Sequence, residues 1–411
     1  NNDSGLKTQN NNRIGDTVPV ALRGGTISYT GRVSTAATET FGALTLAQGA
    51  NTLTATTGGG TVTSVDLTFA SLTRQNNATI NFTGTNLGQQ GNNSRIVFTS
   101  PIPTTNGGMI GAWAVANQND YAAYSTGLGV GIVGQGGFVG YDGGSGAGMI
   151  WQIPVVAATT TTLPAGTTNA AVLRLAGAFT NDIAFTNAGD VLNLELGGLL
   201  RSNDNNASTI GTTAIRGVLT SGSGELITYN HQNTLTINSV IQGAGTKYIK
   251  DGASIATLTA ANTYGGGTVV NRGTLNITPT VTDGSVVVIP AGGLVINGGL
   301  QNSGVTVNLN TSNAIAASTD LTMNGRANLT FAAAVNQTLN SVTFNNNGGD
   351  ANPTLTVTGI LTLSSGTPVT ATSSNAHNVA TITGGTLALA SGANTFSVAP
   401  VAIGGTTYTD L

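Results

Sequence analysis

Cysteine is missing from the 411 residues, which excludes disulfides, thiolate metal sites and cysteine nucleophiles together and leaves the compartment open. Charge is nearly as scarce. Asp, Glu, Lys and Arg make up 7% of the chain, and with so few of the Glu, Lys and Arg residues that build helices, very little helix is expected. The 13 basic residues are scattered over the whole length and the net charge is −3. No cationic face therefore exists on which a phosphate backbone could release counterions, and nucleic acid is not an expected partner. No apolar run approaches the roughly 18 residues of a membrane helix, so no membrane span is expected in this chain. It opens at Asn1 without Met and without a basic-then-apolar leader, the pattern of a mature product or of a piece of something longer.

What the chain does have is glycine, 59 residues of it, and 39% hydrophobic residues set in short regular strands, enough apolar surface to argue for order. It also repeats itself. Ala-Asn-Thr occurs at Ala50-Asn51-Thr52, Ala261-Asn262-Thr263 and Ala393-Asn394-Thr395, and 44–55 (LTLAQGANTLTA) shares a longer frame with 387–398 (LALASGANTFSV). A recurring short unit argues for stacked coils, and hence for one elongated body with no size limit set by a single core.

Residues 1–20 are polar and Asn-rich, read as a flexible N-terminal arm. From 21 to 99 short alternating strands follow, such as Leu44-Thr45-Leu46, Val65-Asp66-Leu67-Thr68-Phe69 and Ile96-Val97-Phe98, a first solenoid section with one face in and one face out. Between 100 and 177 the texture changes. Trp113, Tyr121, Tyr124, Tyr141 and Trp151 cluster there beside a Gly-rich run, an elaboration whose aromatics are candidates for a ligand or subunit contact, or for a small satellite core. The strand rhythm returns over 178–411, the main solenoid section. Strands this short, with turns this frequent, suit an all-β fold of the right-handed parallel β-helix or β-solenoid kind. Gly at the corners supplies positive φ and Asn tolerates it, so Gly266, Gly267 and Gly273 are expected corner formers, with Asn51, Asn262 and Asn394 bonding up a corner ladder. At roughly 20–25 residues per coil, up to about 18 coils would fit, and about 4.8 Å per step gives a rod on the order of 80 Å.

A search for chemistry finds little, and no enzyme is expected. The 16 acidic residues are mostly isolated, whereas glycoside hydrolysis needs two carboxylates facing one bond. Asp182, Asp190 and Glu195 are the nearest to a group, with Glu195 expected to face solvent. No Asp-x-Asp or Asp-Asp pair offers a calcium cage, and His231 and His377 stand far apart, each beside an Asn. Asn347-Gly348-Gly349-Asp350 has one corner of a calcium-binding nonapeptide repeat but is not tandem. Gly129-Val130-Gly131-Ile132-Val133-Gly134 has dinucleotide-binding spacing, yet no helix-forming sequence follows it, and no cofactor is expected.

Over 243–278 the chain reads Gly243-Ala244-Gly245-Thr246-Lys247, then TLTAANTYGGGTVVNRGTLNIT. A Gly-x-Gly, a short apolar strand, Asn-Thr-Tyr, Gly-Gly-Thr and Gly-Thr-Leu follow one another, and in this the chain resembles the autotransporter-associated β-strand repeat of bacterial surface proteins. The resemblance implies an exported β-solenoid, extracellular or on the bacterial cell surface, acting as scaffold, adhesin or fibre. Neither end carries an obvious polar cap, which points to a structural subunit whose partner is itself, stacked head to tail into a filament, sheath or surface layer. The alternative expectation is an adhesin that binds surface glycans through Trp113, Tyr121, Tyr124, Tyr141 and Trp151.

Overall fold

The computed structural model describes residues 13–61, 64–154, 156–202, 206–299, 304–346, 352–373, 379–399, 401–403 and 406–408. The Asn-rich stretch 1–12, the 347–350 corner, His377 and the last residues 409–411 lie outside them. Among the described residues every regular element is a strand, and no helix is long and apolar enough to cross a membrane.

Three sheets surround the first core. Val20–Arg23, Leu44–Gln48 and Leu72–Arg74 make one wall, and Ala37–Phe41, Val65–Phe69 and Ser94–Phe98 the second. Thr26–Thr30, Ala50–Thr56, Thr79–Gly84 and Ala114–Ala116 make the third. Pairing within these walls is parallel, so each coil lays like on like: Leu44 beside Leu72, Leu67 beside Ile96, Phe41 beside Phe69 beside Phe98. The three phenyl rings stack with centroids 5.2 and 6.0 Å apart. Alternation explains the division of labour, since in Val65-Asp66-Leu67-Thr68-Phe69 the apolar residues are buried and Asp66 and Thr68 face outward.

The second stack is longer and built around one sheet. Its spine runs through Ile150–Ile153, Thr167–Leu175, Val191–Arg201, Glu225–Asn230, Lys247–Asp251, Thr268–Val270, Leu294–Asn297, Asp320–Asn324, Ser341–Asn346, Val369–Ser373 and Phe396–Val398. A 10-stranded sheet faces it, and a 3-stranded sheet closes the late coils. The inward row of the spine, Trp151, Leu173, Leu199, Thr228, Lys250, Val270, Ile296, Met323 and Phe344, meets Ile183, Ile210, Leu235, Leu275, Val307 and Leu329 of the facing sheet in a continuous core.

The single rod expected from repetition is instead a folded-back pair. After Ala114–Ala116 the chain turns through two antiparallel strands, Asp120–Ser125 and Gly129–Ile132, and begins the second stack beside the first. Contacts run in opposite orders along the two. Tyr121 meets Leu173, Arg74 meets Glu225, Asn77 meets Asn271, and Gly24 lies against Gly299. The segment 100–177 thus holds the last strand of the first stack, the reversal, and the opening strands of the second.

The outward row of the spine records this packing residue by residue. In register it reads Ile150, Val172, Gly198, Ile227, Ile249, Val269, Val295, Thr322, Thr343, Thr370, Ser397. The apolar members join Met109, Ala112, Val115, Tyr121 and Ala123 in a seam core between the stacks. Once past the reach of the first stack the row turns to threonine. Burial of apolar area, worth roughly 25 cal/mol per Å², therefore holds the stacks together where they overlap, and a solvated face replaces it where they do not.

Candidate functional site

The aromatic residues singled out in the sequence sit along the seam and its reversal. Trp151 is buried on the inward row beside Leu173, at the base of the long core. Tyr121 is buried between the stacks, its hydroxyl donating to Leu173 O at 3.2 Å. Tyr124 is half-buried and clasps Phe98, its hydroxyl donating to the carbonyl at 2.9 Å and accepting from the amide at 3.1 Å. These three carry the fold. Trp113 and Tyr141 are half-buried, and each has a guanidinium over its ring: Arg74 at 5.4 Å and Arg174 at 5.1 Å.

Two hollows open at those cation–ring pairs. One, of about 370 Å³, is lined by Leu72, Arg74, Ile102, Trp113, Leu196 and Ile227. The other is walled by Asp120, Gln135, Tyr141, Gln152 and Arg174. In the second, Arg174 donates to Gln152 Oε1 at 2.5 Å and to Asn119 O at 2.8 Å, and forms an ion pair with Asp120 at 3.0 Å. Burial raises the Asp120 carboxyl above its ordinary range, and Arg174 and the Tyr141 hydroxyl pull it back. Burial likewise pushes the Tyr121 and Tyr141 phenols up, so both remain protonated donors at neutral pH.

The carboxylates Asp182, Asp190 and Glu195 do not converge. Asp182 accepts from Thr209 N, Asp190 from Gly166 N and Asn187 N, and Glu195 from Gly148 N. Each is a backbone clip, and the Gly166 amide holds Asp190 below the usual carboxylate range. Gly129–Ile132 is a strand of the reversal, paired antiparallel with Asp120–Ser125. His231 is half-buried, and its pKa is lowered by burial. Among the described residues no three His, Asp or Glu side chains gather where they could hold a metal ion.

The three Ala-Asn-Thr asparagines have different surroundings. Asn51 accepts from Gly24 N and donates to Thr79 O, linking the coil on each side of it. Asn262 does the same between Ile241 N and Val288 O, at 2.8 Å each. Asn394 donates locally, to Ala390 O and Gly392 O. None of them bonds another asparagine. A ladder of asparagines does run through the corner after the spine strands: Asn324 Nδ2 donates to Asn297 Oδ1 at 2.7 Å, and Asn297 Nδ2 to Asn271 Oδ1 at 2.8 Å. Asn271 Nδ2 then crosses to the first stack, donating to Asn77 O at 2.9 Å and Thr79 Oγ1 at 3.2 Å. The signal was an Asn directly after a core-facing apolar residue, in Val270-Asn271, Ile296-Asn297 and Met323-Asn324.

Corner glycines matter most at Gly267 and Gly273. Their φ values are +86° and +72°, and a Cβ would collide with Gly292 O at the first and Gly252 O at the second. Gly266 sits against the Thr246 backbone, where a Cβ would lie 2.7 Å from its carbonyl. Beside Gly273, the fully buried Lys250 ammonium reaches into the corner and donates to Gly252 O, Ser254 O and Arg272 O at 2.5, 2.5 and 2.7 Å. Burial pushes this amine down to about 7, the neighbouring Asp251 carboxylate opposes that push, and the Arg272 guanidinium adds to it.

Neither a curated protein nor a solved structure matches the chain. Residues 249–277 match the family profile described as passenger-associated-transport-repeat. The match starts at Ile249, next to the caged Lys250, and takes in Asn262, Tyr264, Gly267 and Gly273 before closing at Ile277. It spans the end of the spine strand Lys247–Asp251 and all of Ile255–Leu258, Thr268–Val270 and Thr274–Ile277, with the Tyr264 ring inside the core 6.2 Å from that of Tyr248. The chain is a parallel β-solenoid that carries a passenger-associated-transport-repeat, in keeping with the autotransporter-associated repeat family that its wording resembles.

Proposed function

We propose that this is an exported, passenger-like structural protein of the bacterial exterior, whose copies stack head to tail through the ends of the second stack into a filament, sheath or surface layer. The carrying observation is the state of the apolar rows at the last coil of the second stack among the described residues. Leu361, Leu363 and Val369 are 0%, 0% and 7% exposed, whereas their partners one coil on, Leu387, Leu389 and Phe396, are 37%, 38% and 49% exposed. A parallel sheet edge with its core rows open is a template for further strands. At the opposite end of the facing sheet, Thr159–Leu163 likewise has no strand beyond it among the described residues. The reading assigns no catalytic role, and the partner is a second copy. Electron microscopy of purified protein at high concentration tests it, with filaments expected for the native chain and lost in Leu387→Lys with Phe396→Lys. Discrete, monodisperse particles of the native chain would overturn it.

A second reading, a surface adhesin for glycans, is favoured by the hollow beside Tyr141, where Arg174, Asp120, Gln135 and Gln152 supply hydrogen-bonding groups next to an aromatic ring. Its site is narrower than the sequence suggested, centred on Tyr141, because Trp151 and Tyr121 are buried in the fold, Tyr124 clasps Phe98, and Trp113 lines the other hollow. Loss of binding on a glycan array in Gln152→Ala, in a protein that keeps its melting temperature, is the expected result. An intact protein that binds no glycan removes this reading.

A further inference from the structure

The outer surface of the facing sheet carries a regular two-dimensional net of hydroxyl and amide groups. Its strands read Thr274-Leu275-Asn276, Thr306-Val307-Asn308, Asn328-Leu329-Thr330, Thr354-Leu355-Thr356 and Thr381-Ile382-Thr383. Pairing is parallel and unshifted from each strand to the next, so that two files run along the stack: Thr274, Thr306, Asn328, Thr354, Thr381 and Asn276, Asn308, Thr330, Thr356, Thr383. The middle residue of each of the first four strands is buried in the core, and the flanking pair faces outward and is half-exposed. Thr236 and Thr257 continue the second file by two coils.

Three properties define what this surface can bind. Neither file contains a charged residue, and Arg272 and Arg326, which precede the strands Thr274–Ile277 and Ala327–Phe331, stand two positions before the first file. Neither contains an aromatic residue on which a sugar ring could stack. The repeats are set by the backbone: about 4.8 Å between strands and roughly 6.6 Å between residues two apart on a parallel strand. Threonine holds its hydroxyl and methyl in few rotamers, and in the second file Asn308 Nδ2 donates across the strands to Asn276 Oδ1 at 2.9 Å, with Asn310 Nδ2 donating to Thr278 Oγ1 at 2.8 Å just beyond it. No protein group takes the hydroxyls of Thr306, Thr330 or Thr356 among the described residues, which leaves them to bond a partner at the repeat of the sheet.

From this we infer that the face binds ice. An uncharged, rigid net of oxygens interleaved with methyls complements a partner that is itself uncharged and presents hydrogen-bonding oxygens at two fixed repeats, and the oxygen repeats of a prism face of hexagonal ice lie near both spacings. Charge neutrality matters because a charged side chain would keep its own hydration shell against the lattice. Threonine has few rotamers to lose and Asn308 is already held against Asn276, so little conformational freedom is lost on contact. Water ranked along the files would merge with the lattice and halt growth between bound molecules.

Ice growth in the presence of the full chain is the test, read as thermal hysteresis and crystal shape, with recrystallisation as a third measure. The native protein is expected to facet ice crystals and to arrest recrystallisation. Thr330→Lys with Thr356→Lys places two charges in one file and is expected to abolish both effects, with circular dichroism and melting temperature unchanged. Thr343→Lys with Thr370→Lys puts the same charges on the outer face of the spine and is expected to keep them. Native protein that leaves ice growth like buffer overturns the assignment, as does equal activity in the two double variants. Binding to crystalline cellulose or chitin without any effect on ice also overturns it.

Discussion

Arg74 and Glu225, 151 positions apart, form an ion pair of 2.8 Å that joins the two stacks across the seam. Each partner is further engaged: Arg74 Nε donates to Ala78 O at 2.6 Å, and Glu225 Oε1 accepts from Asn77 Nδ2 at 2.5 Å. Asn77 Oδ1 in turn accepts from Lys247 Nζ at 3.1 Å. The seam is therefore an apolar strip bordered by a fixed polar network, an arrangement that sets register between two surfaces that apolar contact alone would let slide.

Removing one partner of this pair should loosen the stacks. Glu225→Ala leaves the Arg74 guanidinium part-buried without its counter-ion, at a cost of about 1–3 kcal/mol after allowing for its partial exposure. Urea titration measures it, and a double-mutant cycle with Arg74→Ala should return a coupling energy above that of a surface pair. A cycle that closes to zero would mean that the seam is held by its apolar strip alone.

The asparagine ladder offers a sharper probe because its members are buried. Asn297 both donates to Asn271 and accepts from Asn324, so Asn297→Ala strands one acceptor and one donor. At about 1–3 kcal/mol for each buried unsatisfied group, destabilisation should exceed that of Asn310→Ala, whose amide is exposed and bonds only Thr278. Equal midpoints for the two variants would deny the ladder a structural role.

Lys250 should make stability depend on pH above neutrality. Its folded pKa is lowered to about 7 from 10.5, so between those values the unfolded chain binds a proton that the folded one has released. Stability therefore rises as pH climbs from about 7 toward 10.5, and the penalty of the buried charge is fully present below about 7. Lys250→Met should lose that rise, seen as a flatter dependence of the denaturation midpoint on pH. A native slope no steeper than that of the variant would mean that the three carbonyls keep the ammonium charged throughout.

At Gly267 the backbone itself is the constraint. A side chain there meets Gly292 O at a φ that L-residues rarely adopt, and Gly267→Ala should cost at least about 2 kcal/mol. Gly245→Ala is the comparison, with open space around a Cβ and no positive φ. Similar melting temperatures for the two would place the strain elsewhere.

The local alternation of this chain determined its strands. Leu44-Thr45-Leu46 and Val305-Thr306-Val307 can bury one face only as extended segments, and glycines between them leave no length for helices. The wording of 258–278 was enough to point to stacked coils, since a unit that cannot bury its apolar face alone must lie on a copy of itself. Even the asparagine ladder was written in the sequence, although its spacing follows coil length, which varies with each loop and hides the period.

Only the tertiary structure decided that the stack folds back on itself. Ile227, Ile249 and Val269 alternate with residues of the inner core, and nothing local distinguishes an outward apolar row that meets a second stack from one left in solvent. The change to Thr322, Thr343 and Thr370 becomes meaningful once Gly24 is seen to end against Gly299. For the same reason Tyr121 read as a candidate contact residue and proved to be seam core: burial between distant segments depends on how they are brought together, and strand periodicity encodes only which residues share a face.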